Sequence, residues 1–433
     1  MPSFRDFLRA VSVALLFVIA QPASAGRYFV PPGSTWETLG PKLKPGDEIV
    51  LAEGVHLPAT LTGVSGSPFA PIVIHSVGPN SLAEVASDRA SIKLVDCRHI
   101  RIARILSRTP RRAGILIEST KPGASEGITI EDVLIVGPKG LAEESGIVAR
   151  GVKELAIRRC RIENPTNAAI TIGDCESVTI SDVQMVARTD VTPKAAIRLE
   201  GRVWSTLIEK SQIAGAFATA FDLGTSECAP LAPREPTKPS TESSTQDGRS
   251  EAGSEGGAQI PAKDREKPQG PSQSTSSNDT TKPVQEPLVR FLTISNMRLG
   301  GVRRLLDLGS VADATIRNVT LRDAQEEIYR ISLPPRGRPA ASMRMSECLF
   351  IWSPGALRQI GVVAEGAVAK GFTLGANLWW SAELPAALAL LGANGDPFPG
   401  TREVEQTTNL DPKLDQRSRP TVDTAMTYGY MPD

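Results

Sequence analysis

The sequence predicts an all-β chain wound as a right-handed parallel β-helix, a solenoid of about ten coils, on three observations. Eight segments align without gaps: GITIEDVLIVG, ELAIRRCRIEN, SVTISDVQMVA, STLIEKSQIAG, FLTISNMRLGG, DATIRNVTLRD, SMRMSECLFIW and GFTLGANLWWS. One apolar column runs through them at Ile130, Ile157, Ile180, Ile208, Ile294, Ile316, Met345 and Leu374, with gaps of 27, 23, 28, 86, 22, 29 and 29 residues. A period of this size marks stacked units that are each too small to bury their own apolar face. Within each segment buried and exposed positions alternate and break at a polar corner such as Asp132, Asp182, Asn296 or Asn318, which is a strand, turn, strand pattern with no competing helical period.

Two further columns complete the coil. Five residues after the first column stand Ile135, Ile162, Met185, Ile213, Leu299, Leu321, Phe350 and Trp379. Ahead of it come GILIE, AITIG, AIRLE, AFDLG, LLDLG and IYRIS, with inward pairs from Ile115 and Ile117 to Tyr329 and Ile331. Two or three short strands per turn, stacked at about 4.8 Å, describe the solenoid, and the near-universal rule for parallel crossovers sets its hand. A leucine-rich repeat would need a helical return and a propeller blade about 40 residues, and neither fits.

The 433 residues carry 48 basic and 48 acidic side chains, so charge makes no case for nucleic acid or an anionic membrane. Arg5 and Arg9, the apolar run Val11 to Ala20, and Ala23-Ser24-Ala25 predict a signal peptide over residues 1–25, too short for a good membrane span. The mature chain is therefore expected to be secreted or periplasmic and not to span a membrane. Five cysteines, Cys97, Cys160, Cys175, Cys228 and Cys348, form no disulfide framework; Cys97 and Cys175 stand too many coils apart to bond, and Cys160 and Cys348, in one inward column, read as small buried hydrophobes.

After the signal, Ser34 and Glu37 form a candidate capping box for a short helix toward Leu43 that would cover the open end of the stack. Coils are expected over 26–228 and 288–380. Residues 229–287 are rich in Pro, Ser, Thr, Gln, Glu, Lys and Gly, and predict a disordered insertion looped out between neighbouring coils. Residues 381–433 are expected to hold a C-terminal cap and tail, with a short helix over Leu384 to Leu391. The pair Trp379 and Trp380 is expected to fill the core beneath that cap, with a sugar-stacking platform as the other reading.

The stretch PGDEIVLAEGVHLPATLTGVSGSPFAPIVIHSVGP resembles the opening coils of the right-handed parallel β-helix polysaccharide lyases of the chondroitinase B and alginate lyase group, over about residues 33–80. The segment Asn409 to Leu414 likewise resembles the closing segment of many secreted β-helix proteins. The first resemblance implies a glycan partner and, for active members, a lysine base, an arginine, and in many cases calcium on asparagine and glutamates. No Asn with a closely spaced Glu-x-Glu pair occurs, so no calcium site carries over; calcium stays open as a cofactor and no other is implied.

His56, His75 and His99 are the only histidines and have no metal spacing, and no glycine-rich phosphate loop is present, which argues against triad and nucleotide chemistry. The outward position of the earlier strand reads Thr171, Arg198, Asp222, Asp307 and Arg330 on successive coils. Two close carboxylates raise one pKa or attract a cation, and arginines hold acidic sugars. Arg198, Asp222, Asp307 and Arg330 are therefore the candidate catalytic residues, against the plainer expectation of a salt-bridge ladder. The expected function is binding or processing of an acidic polysaccharide, as a diverged lyase if enzymatic. The alternative is a non-catalytic cell-envelope or structural protein.

Overall fold

The computed structural model describes residues 25–78, 82–86, 90–108, 112–137, 146–227, 286–335, 338–382, 398–403, 406–408, 410–414, 421 and 428–429. Nearly all of the predicted signal and insertion, and the predicted helix at 384–391, lie outside these residues, as does Cys228. The chain divides into two units, residues 1–231 with 285–433, and residues 232–284. The second unit lies wholly outside the described residues.

The first unit is a parallel β-helix with three strands per coil, as Ala168–Gly173, Glu176–Ser181 and Gln184–Val186 illustrate. Ladder 1 contains ten strands, from Ala59–Thr62 to Gln359–Val363. Ladder 2 contains the first apolar column and ladder 3 the one five residues later, and two strands, Val289–Gly300 and Val311–Arg322, run unbroken through both. The expected handedness applies to these parallel crossovers.

Register follows from matching side chains. Every member of the predicted first column pairs with the next, from Ile130 on Ile157 to Met345 on Leu374, and all are fully buried. Ile208 pairs with Ile294, so the coils on either side of residues 228–285 are direct neighbours. The chain leaves and re-enters at one place: the Gly201 N–H donates to the Ser226 carbonyl at 3.3 Å and the Val203 N–H to the Leu288 carbonyl at 2.8 Å.

Two columns of left-handed residues bound the strands of ladder 2. The first residue of each repeat, Gly127, Glu154, Ser177, Ser205, Phe291, Asp313, Ser342 and Gly371, has φ between 52° and 70°. The sixth residue, at Asp132, Arg159, Asp182, Lys210, Asn296, Asn318 and Glu347, has φ between 50° and 57°. A non-glycine residue pays about 1 kcal/mol or more for this conformation, which polar side chains with local hydrogen bonds tolerate best. Buried polar groups follow the second bend: Ser211 Oγ accepts the Val183 N–H at 3.0 Å, and Asn377 Oδ1 accepts the Cys348 N–H at 3.0 Å.

The four described cysteines are free and buried. Burial pushes the thiols of Cys160, Cys175 and Cys348 up to about 12, which fits the reading of Cys160 and Cys348 as small hydrophobes and adds Cys175 to them. Trp379 is also core, stacked on Phe350 at 4.3 Å and tilted against Phe398 at 5.1 Å. From the tail, Leu410, Leu414 and Tyr428 return to pack on Leu349, Ile351 and Leu378, the outer face of ladder 3.

One local expectation is corrected. Residues Glu37–Lys42 form a 3-10 helix whose N-cap is Trp36, with no side-chain cap. Glu37 Oε1 instead accepts the Thr60 N–H at 2.5 Å, tying the segment to the first strand of ladder 1, while Trp36 is fully buried and donates from Nε1 to the Leu57 carbonyl at 3.1 Å. Anchoring by a buried tryptophan replaces the capping box. Among the described residues no helix is long and apolar enough to cross a membrane.

Asn377 Nδ2 also donates to the carbonyls of Met345 at 3.0 Å and Gly375 at 2.8 Å, so one side chain closes three backbone groups inside the stack. Asn377→Ala should destabilise the protein by about 1–3 kcal/mol or more, because buried groups lose their partners. Urea unfolding followed by circular dichroism checks this, and an unchanged midpoint would show that the bend does not depend on the amide.

Candidate functional site

Alternation along ladder 1 turns one side chain of each strand away from the core. Register places Thr171 beside Arg198, Arg198 beside Asp222, Asp222 beside Asp307, and Asp307 beside Arg330. Asp222 and Asp307 are thus strand neighbours although the residues 228–285 separate them in sequence. The same column reads Thr60, Lys93, Leu116 and Val148 before Thr171 and Val362 after Arg330. Adjacent charges are therefore concentrated on the four coils from Arg198 to Arg330.

The column is outward yet mostly covered. Side-chain exposure is 14% for Arg198 and 13% for Asp222, 19% for Asp307, and 38% for Arg330. Arg198 Nε donates to Asp222 Oδ2 at 2.8 Å, and the Thr225 hydroxyl donates to Asp222 Oδ1. The pairing expected between Asp307 and its column neighbour Arg330 is not what forms. Asp307 Oδ2 accepts from Arg304 Nη1 at 3.1 Å, and its Oδ1 accepts from the Ser332 hydroxyl at 2.5 Å. Arg330 Nη2 instead lies 2.7 Å from Glu327 Oε1.

Arg304 is the hub that sequence reasoning missed. It is almost fully buried, and besides Asp307 it contacts Thr219 at 3.3 Å, Glu326 at 3.4 Å and Glu327 at 2.5 Å. The available signal was its place three residues before Asp307 in the same short strand, where a long guanidinium side chain reaches along the strand rather than across it. Glu327, its register partner on the next coil, was likewise legible only once the coils were aligned.

Electrostatically the two aspartates differ. Burial pushes the Asp307 carboxyl above the ordinary aspartate range and the neighbouring Asp222 adds to the rise, while Ser332, Arg304 and Arg330 pull against it without cancelling it. A carboxyl whose protonated form is favoured by burial is suited to donate a proton or a hydrogen bond to a sugar oxygen. Arg330 is the most accessible member, although its Nε is buried and has no hydrogen-bond partner among the described residues.

The pair does not suit calcium. Both oxygens of each carboxylate are occupied by Arg198, Thr225, Arg304 or Ser332, and two guanidiniums stand where a cation would sit. Among the described residues no group of three or more His, Cys, Asp or Glu side chains could hold a metal ion.

A raised carboxyl pKa has a defined sign in stability. The unfolded chain releases the Asp307 proton near the ordinary value of about 3.9, whereas the folded chain keeps it to higher pH. The favourable contribution is therefore complete below the unfolded value and is lost as pH rises through the folded one. Asp307→Asn keeps an oxygen for Arg304 and has no proton to lose, so it should gain on the wild type as pH rises from the unfolded value through the folded one. Urea unfolding of both proteins across that range tests this, and parallel profiles would refute the raised carboxyl.

No protein-family model matches the chain, and no curated protein matches it in sequence. Among solved structures it is similar to a lacto-N-biosidase from Eubacterium ramulus, with a TM-score of 0.54 and 9% identity over 89% of this chain and 68% of that one. An alginate lyase from Paenibacillus aligns over 89% of this chain and 99% of its own at 14% identity and a TM-score of 0.44. An endo-xylogalacturonan hydrolase from Aspergillus tubingensis aligns over 88% and 93%, at 11% identity and a TM-score of 0.43. At 9% identity the likeness to the lacto-N-biosidase is one of fold alone.

Proposed function

We propose that this chain is an extracytoplasmic β-helix protein that binds an acidic polysaccharide along the outward face of ladder 1, over the coils of Arg198, Asp222, Asp307 and Arg330. One observation carries this most: Arg330 is the most exposed member of the column, at the rim of a covered carboxyl pair, with Glu327 engaging its Nη2. Arginine is the side chain that best holds a carboxylate in two-pronged fashion. The sequence features of a secretory signal and of opening coils like those of polysaccharide lyases favour the same assignment, as does a fold shared with a lacto-N-biosidase.

A second reading, glycan cleavage at this face, rests on the Asp307 carboxyl. Burial and Asp222 favour its protonated form, so it would serve as the proton donor to a leaving sugar oxygen, with Asp222 as the neighbouring carboxylate. The engagement of both carboxylates in ion pairs favours binding without turnover, so binding is ranked first. Calcium has no part in either reading, and chelation should leave both unchanged.

Alginate, chondroitin and pectin, screened by binding calorimetry and by absorbance of unsaturated products, test both readings. Arg330→Ala should weaken binding of the acidic glycan by tenfold or more, the magnitude of about 1.5 kcal/mol or above expected for a charge-assisted contact. Arg198→Ala should weaken it too, through loss of the Asp222 partner, with Arg198→Lys restoring part. Where turnover is detected, Asp307→Ala should abolish it; persistence of turnover would leave binding alone. Unchanged affinity in Arg330→Ala and Arg198→Ala, with the fold intact, would reduce the column to a salt-bridge ladder.

A further inference from the structure

A second surface, on ladder 2, carries an arrangement that the charged column does not use. Four consecutive coils open a cleft of about 370 Å³, lined along one side by the left-handed residues His99, Gly127, Glu154 and Ser177. Along its floor runs the outward column Arg101, Thr129, Ala156 and Thr179, in register from coil to coil. At about 4.8 Å per coil, three steps make the cleft about 14 Å long, room for two or three sugar rings.

Its N-terminal wall is a tight turn. Ser67 and Ala70 exchange backbone hydrogen bonds of 3.1 Å each, and the turn is tied to the next coil by the Gly66 N–H on the Arg98 carbonyl at 2.9 Å and the Ile72 N–H on the His99 carbonyl at 3.0 Å. Two glycines make the shape obligatory. A Cβ on Gly66 would stand 2.5 Å from the His99 carbonyl oxygen, and one on Gly127 would stand 2.3 Å from His99 Nδ1, so the imidazole lies over the missing side chain. Phe69, at the tip of this held turn, is 100% exposed.

The charges in the cleft are unevenly committed. Arg101 is bound to Glu131, whereas Arg158 is exposed and makes no ion pair among the described residues, and the same holds for Glu154. A free guanidinium, a free carboxylate, three hydroxyls from Thr129, Ser177 and Thr179, and the apolar wall of Pro68 and Pro71 therefore share one groove. Glu154 would repel a doubly charged phosphate but accepts hydrogen bonds from sugar hydroxyls.

We propose that this cleft binds a uronic-acid residue of a polysaccharide, with the carboxylate on Arg158, ring hydroxyls on Glu154, Thr129, Ser177 and Thr179, and the apolar ring face against the Pro68 turn. An exposed aromatic on a rigid turn is suited to stack on a sugar ring, and Phe69 supplies one. The site lies on a different face from the ladder 1 column and does not depend on it.

Calorimetry with tetramers of galacturonate, glucuronate and mannuronate, and with their methyl esters as uncharged counterparts, tests the proposal on the full chain. At least one free-acid tetramer should bind tenfold or more tightly than its ester. Arg158→Ala should remove that preference, Arg158→Lys should restore part of it, and Phe69→Ala should weaken acid and ester alike by several-fold. Arg158 and Phe69 are both exposed, so unchanged thermal midpoints verify that the fold survives. Binding by Arg158→Ala equal to wild type, equal affinity for acid and ester, or no binding of any tetramer would each overturn the proposal. Loss confined to Arg330→Ala would support the ladder 1 site and overturn this one, and loss confined to Arg158→Ala would do the reverse.

Discussion

Every inward side chain of a narrow parallel coil rests on one neighbour above and one below, about 4.8 Å away, and has no other way to leave water. That in-register stacking is what the rest of this molecule depends on. Ile130, Ile157, Ile180, Ile208, Ile294 and Ile316 form one such line, and Met345 and Leu374 extend it where the bore changes shape toward Phe350 and Trp379. A slip of one residue in any coil would turn an isoleucine outward and a polar residue inward along a whole strand. The outward columns inherit their alignment from the inward ones. Arg198, Asp222, Asp307 and Arg330 are neighbours because Ile197, Phe221, Leu306 and Tyr329 are.

The left-handed bends are the second requirement, because a coil of three short strands must turn sharply between them. All eight repeats bend at their first residue and seven at their sixth, and the side chains found there are mostly Asp, Asn, Ser, Glu, Lys, Arg or Gly. These bends also shape the surface. At ladder 2 they set His99, Glu154 and Ser177 along one rim of the cleft, so a device for turning the chain doubles as a row of polar groups facing solvent.

Much of the fold was legible because stacking repeats its chemistry: columns of like aliphatics can be aligned from sequence, and all three predicted columns pair as expected. The coil Ile147–Arg150 went unnoticed between Ile117 and Ile170 because its second inward residue is Ala149, too small to stand out. The Ser34 and Glu37 signature misled because a buried Trp36 and a strand N–H at Thr60 compete for the same groups, and tertiary contacts won. In the charged column the membership and the pairing of Arg198 with Asp222 were legible, but the partners of Asp307 and Arg330 were not. Register names the residues above and below and so finds Glu327 beside Arg304, whereas Arg304 reaches Asp307 along its own strand and Glu326 diagonally. The ladder 2 cleft was invisible for a related reason, since the turn at Ser67 to Ala70 meets Arg158 only once four coils are stacked.

The two surfaces differ in what they leave free. On ladder 1 the carboxylates are engaged by arginines and hydroxyls, and Arg330, paired with Glu327, is the most exposed member, whereas on ladder 2 Arg158 and Glu154 make no ion pair among the described residues. The ladder 2 cleft lies within the coils before Ile208, whereas the ladder 1 column depends on register being kept where Ile208 meets Ile294 across the residues 228–285, the place least secured by sequence. Leu207 and Thr293 are the outward partners at that junction, and a parallel pair lies within the reach of a disulfide. The most direct measurement is oxidation of Leu207→Cys/Thr293→Cys, set against Leu207→Cys/Ser295→Cys, which is two residues out of register. Near-complete cross-linking of the first and little of the second, read by mass spectrometry under denaturing conditions, is the predicted result. Efficient cross-linking of the second in place of the first would contradict the shared register, and with it the meeting of Asp222 and Asp307.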